Sequence, residues 1–188
     1  MPKYAMVIDQ NRCVGCMACI VSCKKENNVP DEHFRTRVAE EVNGEFPKLR
    51  MELRSELCNH CDNPPCVYNC PTGASHKRPD GTVQVNKTRC VGCKACVAAC
   101  PYDARYMNPD KGFADKCTFC EHRVKEGKLP ACVETCIGRS RVFGDLDDPS
   151  SAVSKLLREN DVTVRIKEAG TLPRVFYIKK TIHGKIGG

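Results

Sequence analysis

The sequence has no tryptophan, and phenylalanine and tyrosine bring its aromatic content to only 6%. A chain so poor in large apolar rings has a thin core for its length. That points to bound groups, beside side-chain packing, as a source of stability. No run of about 18 apolar residues occurs, so no membrane-spanning helix is expected. A signal peptide is not expected either. Asp9 interrupts the apolar stretch Tyr4–Ile8, and a cysteine motif begins at Cys13. On this reading the chain has no export route of its own. Catalytic signatures are just as scarce. There is no Ser-His-Asp spacing, phosphate loop or nucleotide-binding glycine fingerprint, so no residue is assigned a catalytic role. The lysines and arginines are scattered and form no arginine-rich tract or aromatic-basic platform, which argues against nucleic acid.

Cysteine is what the sequence has in excess, with 16 in 188 residues. They fall into four groups of four, with none left over. The first is Cys13, Cys16, Cys19 and Cys23. The second is Cys58, Cys61, Cys66 and Cys70, followed by Pro71. The third is Cys90, Cys93, Cys96 and Cys100, followed by Pro101. The fourth is Cys117, Cys120, Cys132 and Cys136. The third group has the C-x2-C-x2-C-x3-C-P spacing of bacterial ferredoxins. Three closely spaced thiolates wrap one face of an iron–sulfur cubane, and the short loop turns backbone N–H groups toward the sulfurs. Gly15 and Gly92 precede the second cysteine of their groups, where a residue without Cβ can turn tightly around a cluster. The fourth cysteine, at the start of a helical turn, points away and serves the neighbouring cluster.

That crossing rule assigns all sixteen ligands. Cys58, Cys61 and Cys66 share a [4Fe–4S] cluster with Cys100, and Cys90, Cys93 and Cys96 share one with Cys70. The outer groups then pair with each other. Cys13, Cys16 and Cys19 join Cys136, while Cys117, Cys120 and Cys132 join Cys23. The expected fold is α+β, with two interleaved ferredoxin-like units, one inserted into the other, holding four [4Fe–4S] clusters. The inserted unit covers residues 52–110, and the outer unit residues 1–51 and 111–188. Zinc suits the spacing less well, since it usually takes two C-x2-C pairs per site. A disulfide framework suits it less again, because cysteines this close along the chain bridge poorly. The formal charge of +7 also fits. Four clusters with thiolate ligands bring about −8, leaving the loaded protein near neutrality.

Strands are expected at Tyr4–Ile8, Leu49–Leu53, Thr82–Val85 and Val175–Ile178. Short helical turns are expected after the third cysteine of each group. A longer helix is expected over Pro149–Glu159, capped by Asp148, with Val153, Leu156 and Leu157 on its apolar face. Residues 24–57 form a charged insertion suited to a solvated face or to docking a larger subunit. His60 and His122 lie beside the cysteines. With four thiolates per group they are not needed as ligands, though they could donate N–H bonds to sulfur. Residues 181–188 read as a flexible or docked tail.

The order of the four groups resembles that of the four-cluster iron–sulfur subunits of molybdopterin oxidoreductases. So do Asn63-Pro64-Pro65-Cys66, Cys100-Pro101-Tyr102-Asp103-Ala104-Arg105, Lys116-Cys117-Thr118-Phe119-Cys120, Pro130-Ala131-Cys132 and Phe143-Gly144-Asp145-Leu146. The likeness covers nearly the whole chain and is greatest to the electron-transfer subunits of polysulfide and thiosulfate reductases. It implies a non-catalytic relay between a molybdenum or tungsten pterin catalytic subunit and a membrane subunit that exchanges electrons with quinol. It also implies export of the folded chain with that catalytic subunit, to the outer face of the cytoplasmic membrane. Some relatives hold a three-iron cluster where one cysteine of the third group is replaced; here all four are present. Two other readings stay open: a soluble polyferredoxin, and a cytoplasmic electron-transfer subunit of a formate dehydrogenase or hydrogenase.

The crossing rule has a direct test. Replacing Cys100 by Ala is expected to damage the cluster bound by the second group. Loss of the third group's cluster alone contradicts the pairing, and spectroscopy of the two clusters distinguishes the outcomes.

Overall fold

A computed structural model describes residues 1–179. The expected tail at residues 181–188 lies outside them. The centre of the fold is a four-stranded sheet. Its strands are β1 (Tyr4–Asp9), β8 (Arg141–Asp145), β9 (Val162–Thr163) and β10 (Val175–Ile178), in the order β8-β1-β10-β9. Strand β1 runs parallel to β10 and antiparallel to β8, with Met6 opposite Val175 on one side and Phe143 on the other. The other strands form three two-stranded hairpins. They are β2 (Thr36–Asn43) with β3 (Arg50–Leu57), β4 (Ser75–Lys77) with β5 (Val83–Val85), and β6 (Tyr106–Met107) with β7 (Ala114–Asp115). The first and third hairpins run across residues 51 and 110, where the expected two-unit division falls.

The period of two along β1 sorts its side chains between two cores. Met6 and Ile8 face the cysteine side, packing with Cys19, Cys58, Cys117, Cys132 and Phe119. Ala5 and Val7 face the other way, against Val153 and Ile178 and the apolar edge of helix α6 (Ala152–Glu159). One strand therefore ties the cysteine-bearing loops to the outer helix. This helix starts later than its sequence suggests. Ser151 is the cap, its side chain accepting from the Ser154 N–H at 3.1 Å. Asp148 instead accepts from the Ser150 N–H at 2.8 Å, closing a turn before the helix.

Five further helices lie among the cysteines: α1 (Ala18–Asn27), α2 (Pro65–Tyr68), α3 (Ala95–Ala98), α4 (Glu121–Lys125) and α5 (Ala131–Glu134). In α1, α2, α3 and α5 the third cysteine of a group is the second helical residue. These turns therefore contain the third cysteine and do not follow it. The fourth cysteine is likewise not at a helical start. Cys70, Cys100 and Cys136 come just after their turns, and each backbone N–H closes onto the residue three before it. Cys23 lies inside α1.

The charged insertion forms the β2–β3 hairpin, of which the sequence marks only Leu49–Leu53 as strand. Its far end exposes Val42, Phe46 and Leu49, and its base buries Ser55, Glu56 and Leu57. Glu56 anchors the base. Its carboxylate accepts from Arg54 at 2.9 Å and Arg37 at 3.1 Å, and pairs with Arg165 at 3.2 Å. Burial alone would raise its pKa. The Arg54 bond, the Arg165 charge and the Arg37 bond outweigh that and hold the carboxyl below its ordinary value.

A carboxyl held low stabilises the fold above its unfolded pKa and loses that contribution as pH falls through its folded one. Glu56→Gln is expected to cost about 2 kcal/mol at neutral pH. The gap between wild type and variant should close as pH drops below about 4. Thermal unfolding of both across that range checks this; a gap independent of pH would assign the loss to packing.

Candidate metal centres

The backbone around the cysteines turns through left-handed conformations that most residues avoid. Gly15 and Gly92 have φ of 68° and 71°, as their lack of a Cβ suggests. Met17 and Lys94, each two residues on, sit at 59° and 62° without that freedom. His60 and Phe119 do the same in the second and fourth groups, at 43° and 55°. Alternating conformations of this kind gather backbone N–H groups into an anion-binding concavity. Phe119 N–H reaches Cys117 Sγ at 3.4 Å, and Ser75 N–H reaches Cys70 Sγ at 3.3 Å.

Three sets of four thiols are gathered from distant parts of the chain. Cys13, Cys16, Cys19 and Cys136 line one cavity. Cys23, Cys117, Cys120 and Cys132 line a second. Cys61 interacts electrostatically with Cys58, Cys66 and Cys100. Of the four thiols that remain, only Cys90 and Cys96 are found together, in an apolar cluster. Cys70 is half-buried, bonded to Ser75 and lying 3.8 Å from the Thr72 hydroxyl, and Cys93 is exposed. Neighbouring sets also lie close together. Cys132 interacts electrostatically with Cys19 and Cys117 with Cys58, and Cys66 shares an apolar cluster with Cys96. Named by their lowest cysteine within a loop, the sets follow one another as the Cys13, Cys117, Cys58 and Cys90 sets.

Buried thiols this close resist ionisation. Burial, reinforced by Cys132 and Cys120, pushes the Cys23 thiol up to about 12. Burial and Cys58 do the same to Cys61, also to about 12. Cys117 is driven well above its ordinary value by burial and then by Cys23, Cys132 and Cys120. Such sites need positive charge at their centre before four thiolates can coexist. An all-sulfur donor set suits zinc or an iron–sulfur core. Among the described residues, no three His, Cys, Asp or Glu side chains converge as they would on a single ion. In the Cys13 and Cys117 sets the thiols line a cavity instead, which fits a polynuclear core better than one ion bonded at about 2.3 Å.

Four enclosed cations stand beside these sulfurs; one, Arg35, lines the Cys117 cavity but is paired with Asp115 at 2.8 Å. Arg141, Arg105 and Lys116 are only 3%, 4% and 1% exposed. Arg141 lines both the Cys13 and Cys117 cavities. It donates to Thr36 Oγ1 at 2.6 Å and to Ser55 Oγ, while its Nη1 has no protein partner. Arg105 donates to Cys66 Sγ at 2.9 Å and to Ser75 Oγ at 2.8 Å, with Nε and Nη1 unpartnered. Burial would lower both guanidinium pKa values. Cys132 and Cys19 beside Arg141, and Cys66, Cys58 and Cys96 beside Arg105, hold them above their ordinary value instead. The Lys116 Nζ donates to Val83 O and, at 2.7 Å, to Cys117 O. Orphaned buried donors beside sulfur are what an anionic cluster would satisfy.

The sequence does contain a signal for the two arginines. Each stands five residues after the fourth cysteine of its group, Arg105 after Cys100 and Arg141 after Cys136. Asn27 carries no such signal, yet its Nδ2 lies 3.7 Å from Cys23 Sγ and 3.8 Å from Cys120 Sγ. Neither His60 nor His122 is bonded to sulfur here, though the buried His60 Nε2 has no protein partner. His60 is fully buried, stacks on Phe119 at 3.8 Å and accepts from the Val83 N–H at 3.0 Å. His122 Nε2 lies 2.6 Å from Glu26 at the surface.

Comparison with known proteins agrees with the cysteine pattern. A 4Fe-4S dicluster domain matches residues 49–146, and another matches residues 12–74. A tetrathionate reductase subunit of Salmonella typhimurium is 49% identical, over 94% of this chain and 72% of its own length. A polypeptide of the polysulfide reductase of Wolinella succinogenes is 43% identical, over 94% of both sequences. Protein NrfC of Escherichia coli is 46% identical, over 94% of this chain and 80% of its own.

Gly138 allows Cys136 to reach the Cys13 loop. A Cβ there would lie 2.0 Å from the Arg12 carbonyl oxygen, a backbone atom that cannot swing aside. Gly138→Ala is therefore expected to open the Cys13 set selectively, with loss of roughly a quarter of the bound iron. Iron analysis beside the spectrum of each cluster checks it; full iron content would show that the loop can relax.

Proposed function

The chain belongs to the iron–sulfur subunits of molybdopterin oxidoreductases, and from that premise we propose that it relays electrons through four [4Fe–4S] clusters. The ligands are the four crossed cysteine sets. One partner is a molybdenum or tungsten pterin catalytic subunit of the sulfur-compound reductase type. The other is an integral-membrane subunit that exchanges electrons with quinone. The chain is a non-catalytic electron-transfer subunit, and the substrate bond is made or broken elsewhere.

The observation that carries this reading is the succession of thiol sets, each close to the next. A [4Fe–4S] cluster supplies one-electron redox chemistry, with a potential set by charge, hydrogen bonds and exposure. The residues of this chain do the rest. Their thiols hold the irons, the left-handed loops turn N–H groups toward sulfur, and the buried sheet keeps neighbouring sets in register. The two ends of the succession are its most open points, since Cys16 and Cys93 are the exposed thiols. Exposed Val14 and Val91 precede them. Open ends with enclosed middle sets suit electrons arriving at one end and leaving at the other. The β2–β3 hairpin, with its exposed apolar tip, is our candidate for docking the larger subunit. Among the described residues no helix is long and apolar enough to cross a membrane. The resemblance to the family is what supports assigning membrane attachment to the quinone-reactive partner and the location to the outer face of the cytoplasmic membrane.

Affinity purification of the native chain tests the proposal. The expected product is a brown complex containing a pterin-bearing large subunit and about sixteen irons for each copy of this chain. A brown species running as the single chain on size exclusion would overturn the subunit reading in favour of a free polyferredoxin.

A further inference from the structure

The three enclosed cations that have no ion pair to a carboxylate among the described residues, unlike Arg35 with its Asp115, are distributed one to each junction of the succession. Arg141 lines the cavities of both the Cys13 and Cys117 sets. Lys116 bonds the Cys117 carbonyl and interacts with Cys58, Cys117 and Cys66, so it stands between the Cys117 and Cys58 sets. Arg105 bonds Cys66 Sγ and interacts with Cys58 and Cys96, so it stands between the Cys58 and Cys90 sets. The arginines occupy matching positions, five residues after Cys136 and Cys100. Lys116 has a different origin: it directly precedes the first cysteine of the fourth group. All three are almost fully enclosed, where a charge acts on its neighbours with little screening.

We propose that Arg141, Lys116 and Arg105 form a ladder of positioning charges, each raising the reduction potential of the two clusters that flank it and of no others. This rests on the four-cluster reading above. Reduction adds one electron to a cluster that is already anionic and takes up no other group. A fixed positive charge beside it stabilises the reduced form more than the oxidised one. Because each rung is shared, neighbouring clusters are tuned in pairs. The Cys117 and Cys58 sets each lie beside two rungs, and the Cys13 and Cys90 sets beside one.

The test is a redox titration of the purified complex, followed by electron paramagnetic resonance, for wild type and for Arg141→Met, Lys116→Met and Arg105→Met. Each variant is expected to move two of the four waves to lower potential. One wave moved by Lys116→Met should also move in Arg141→Met, and the other should also move in Arg105→Met. Arg141→Met and Arg105→Met should share none. Charge-retaining Arg141→Lys, Lys116→Arg and Arg105→Lys should keep the wild-type waves and serve wherever a methionine variant loses iron. Fewer than four titrating clusters in the wild type would reject the four-cluster reading itself. Four clusters with waves that stay fixed, move singly or move all together would reject the ladder and leave the relay intact.

Discussion

Thiolates held side by side repel one another, and this protein sets sixteen thiols close together while enclosing nine of them. Burial and mutual repulsion together drive Cys23, Cys61 and Cys117 far from the values at which they would ionise. Most of the structure can be understood as an answer to that constraint. Positive charge has to come from inside each set, which is the place of iron, and from the protein around it. The protein's share consists of the enclosed Arg105, Lys116 and Arg141, with their unusual placement and, for the arginines, incomplete partnering. The basic excess of the sequence is thus partly an internal requirement of sulfur chemistry.

The fold serves the same end by geometry. Strand β1 places Met6 and Ile8 beside cysteines from three different groups while Ala5 and Val7 hold the outer helix. Short helical turns fix the third cysteine of every group in the same position, second in the turn. The loops before them accept left-handed residues at Met17, Lys94, His60 and Phe119. Strain of that kind persists only where the surroundings over-determine it, and it is concentrated here on the segments that wrap the sulfurs.

Much of this is legible in the sequence because cysteine spacing is a local signal. The four groups, the glycines at 15 and 92 and the strands at Tyr4 and Val175 all follow from short runs of residues. What the sequence hides has physical reasons. The β2–β3 hairpin is only half legible: Leu49, Met51 and Leu53 alternate into β3, but β2 is mostly exposed and charged and carries no such run. Helix α6 starts at Ala152 because Ser151 competes successfully with Asp148, whose carboxylate is satisfied by a tighter local turn. The cations are hidden for a different reason. Nothing in a lone arginine or lysine says that it is buried; only the repeated offset from Cys100 and Cys136 singles out two of them. Lys116 has no such repeat, and its importance comes entirely from packing between two loops that are distant in sequence.

The central claim is that each centre draws its fourth thiolate from another group and that the four centres stand in one succession. Anomalous diffraction from iron in crystals of the loaded complex tests this most directly. The account predicts four iron centroids in the order Cys13, Cys117, Cys58, Cys90 sets, with Cys100 bonded beside Cys58, Cys61 and Cys66, and Cys23 beside Cys117, Cys120 and Cys132. Iron centred within uncrossed groups, with Cys70 beside Cys58 or Cys136 beside Cys117, would contradict it.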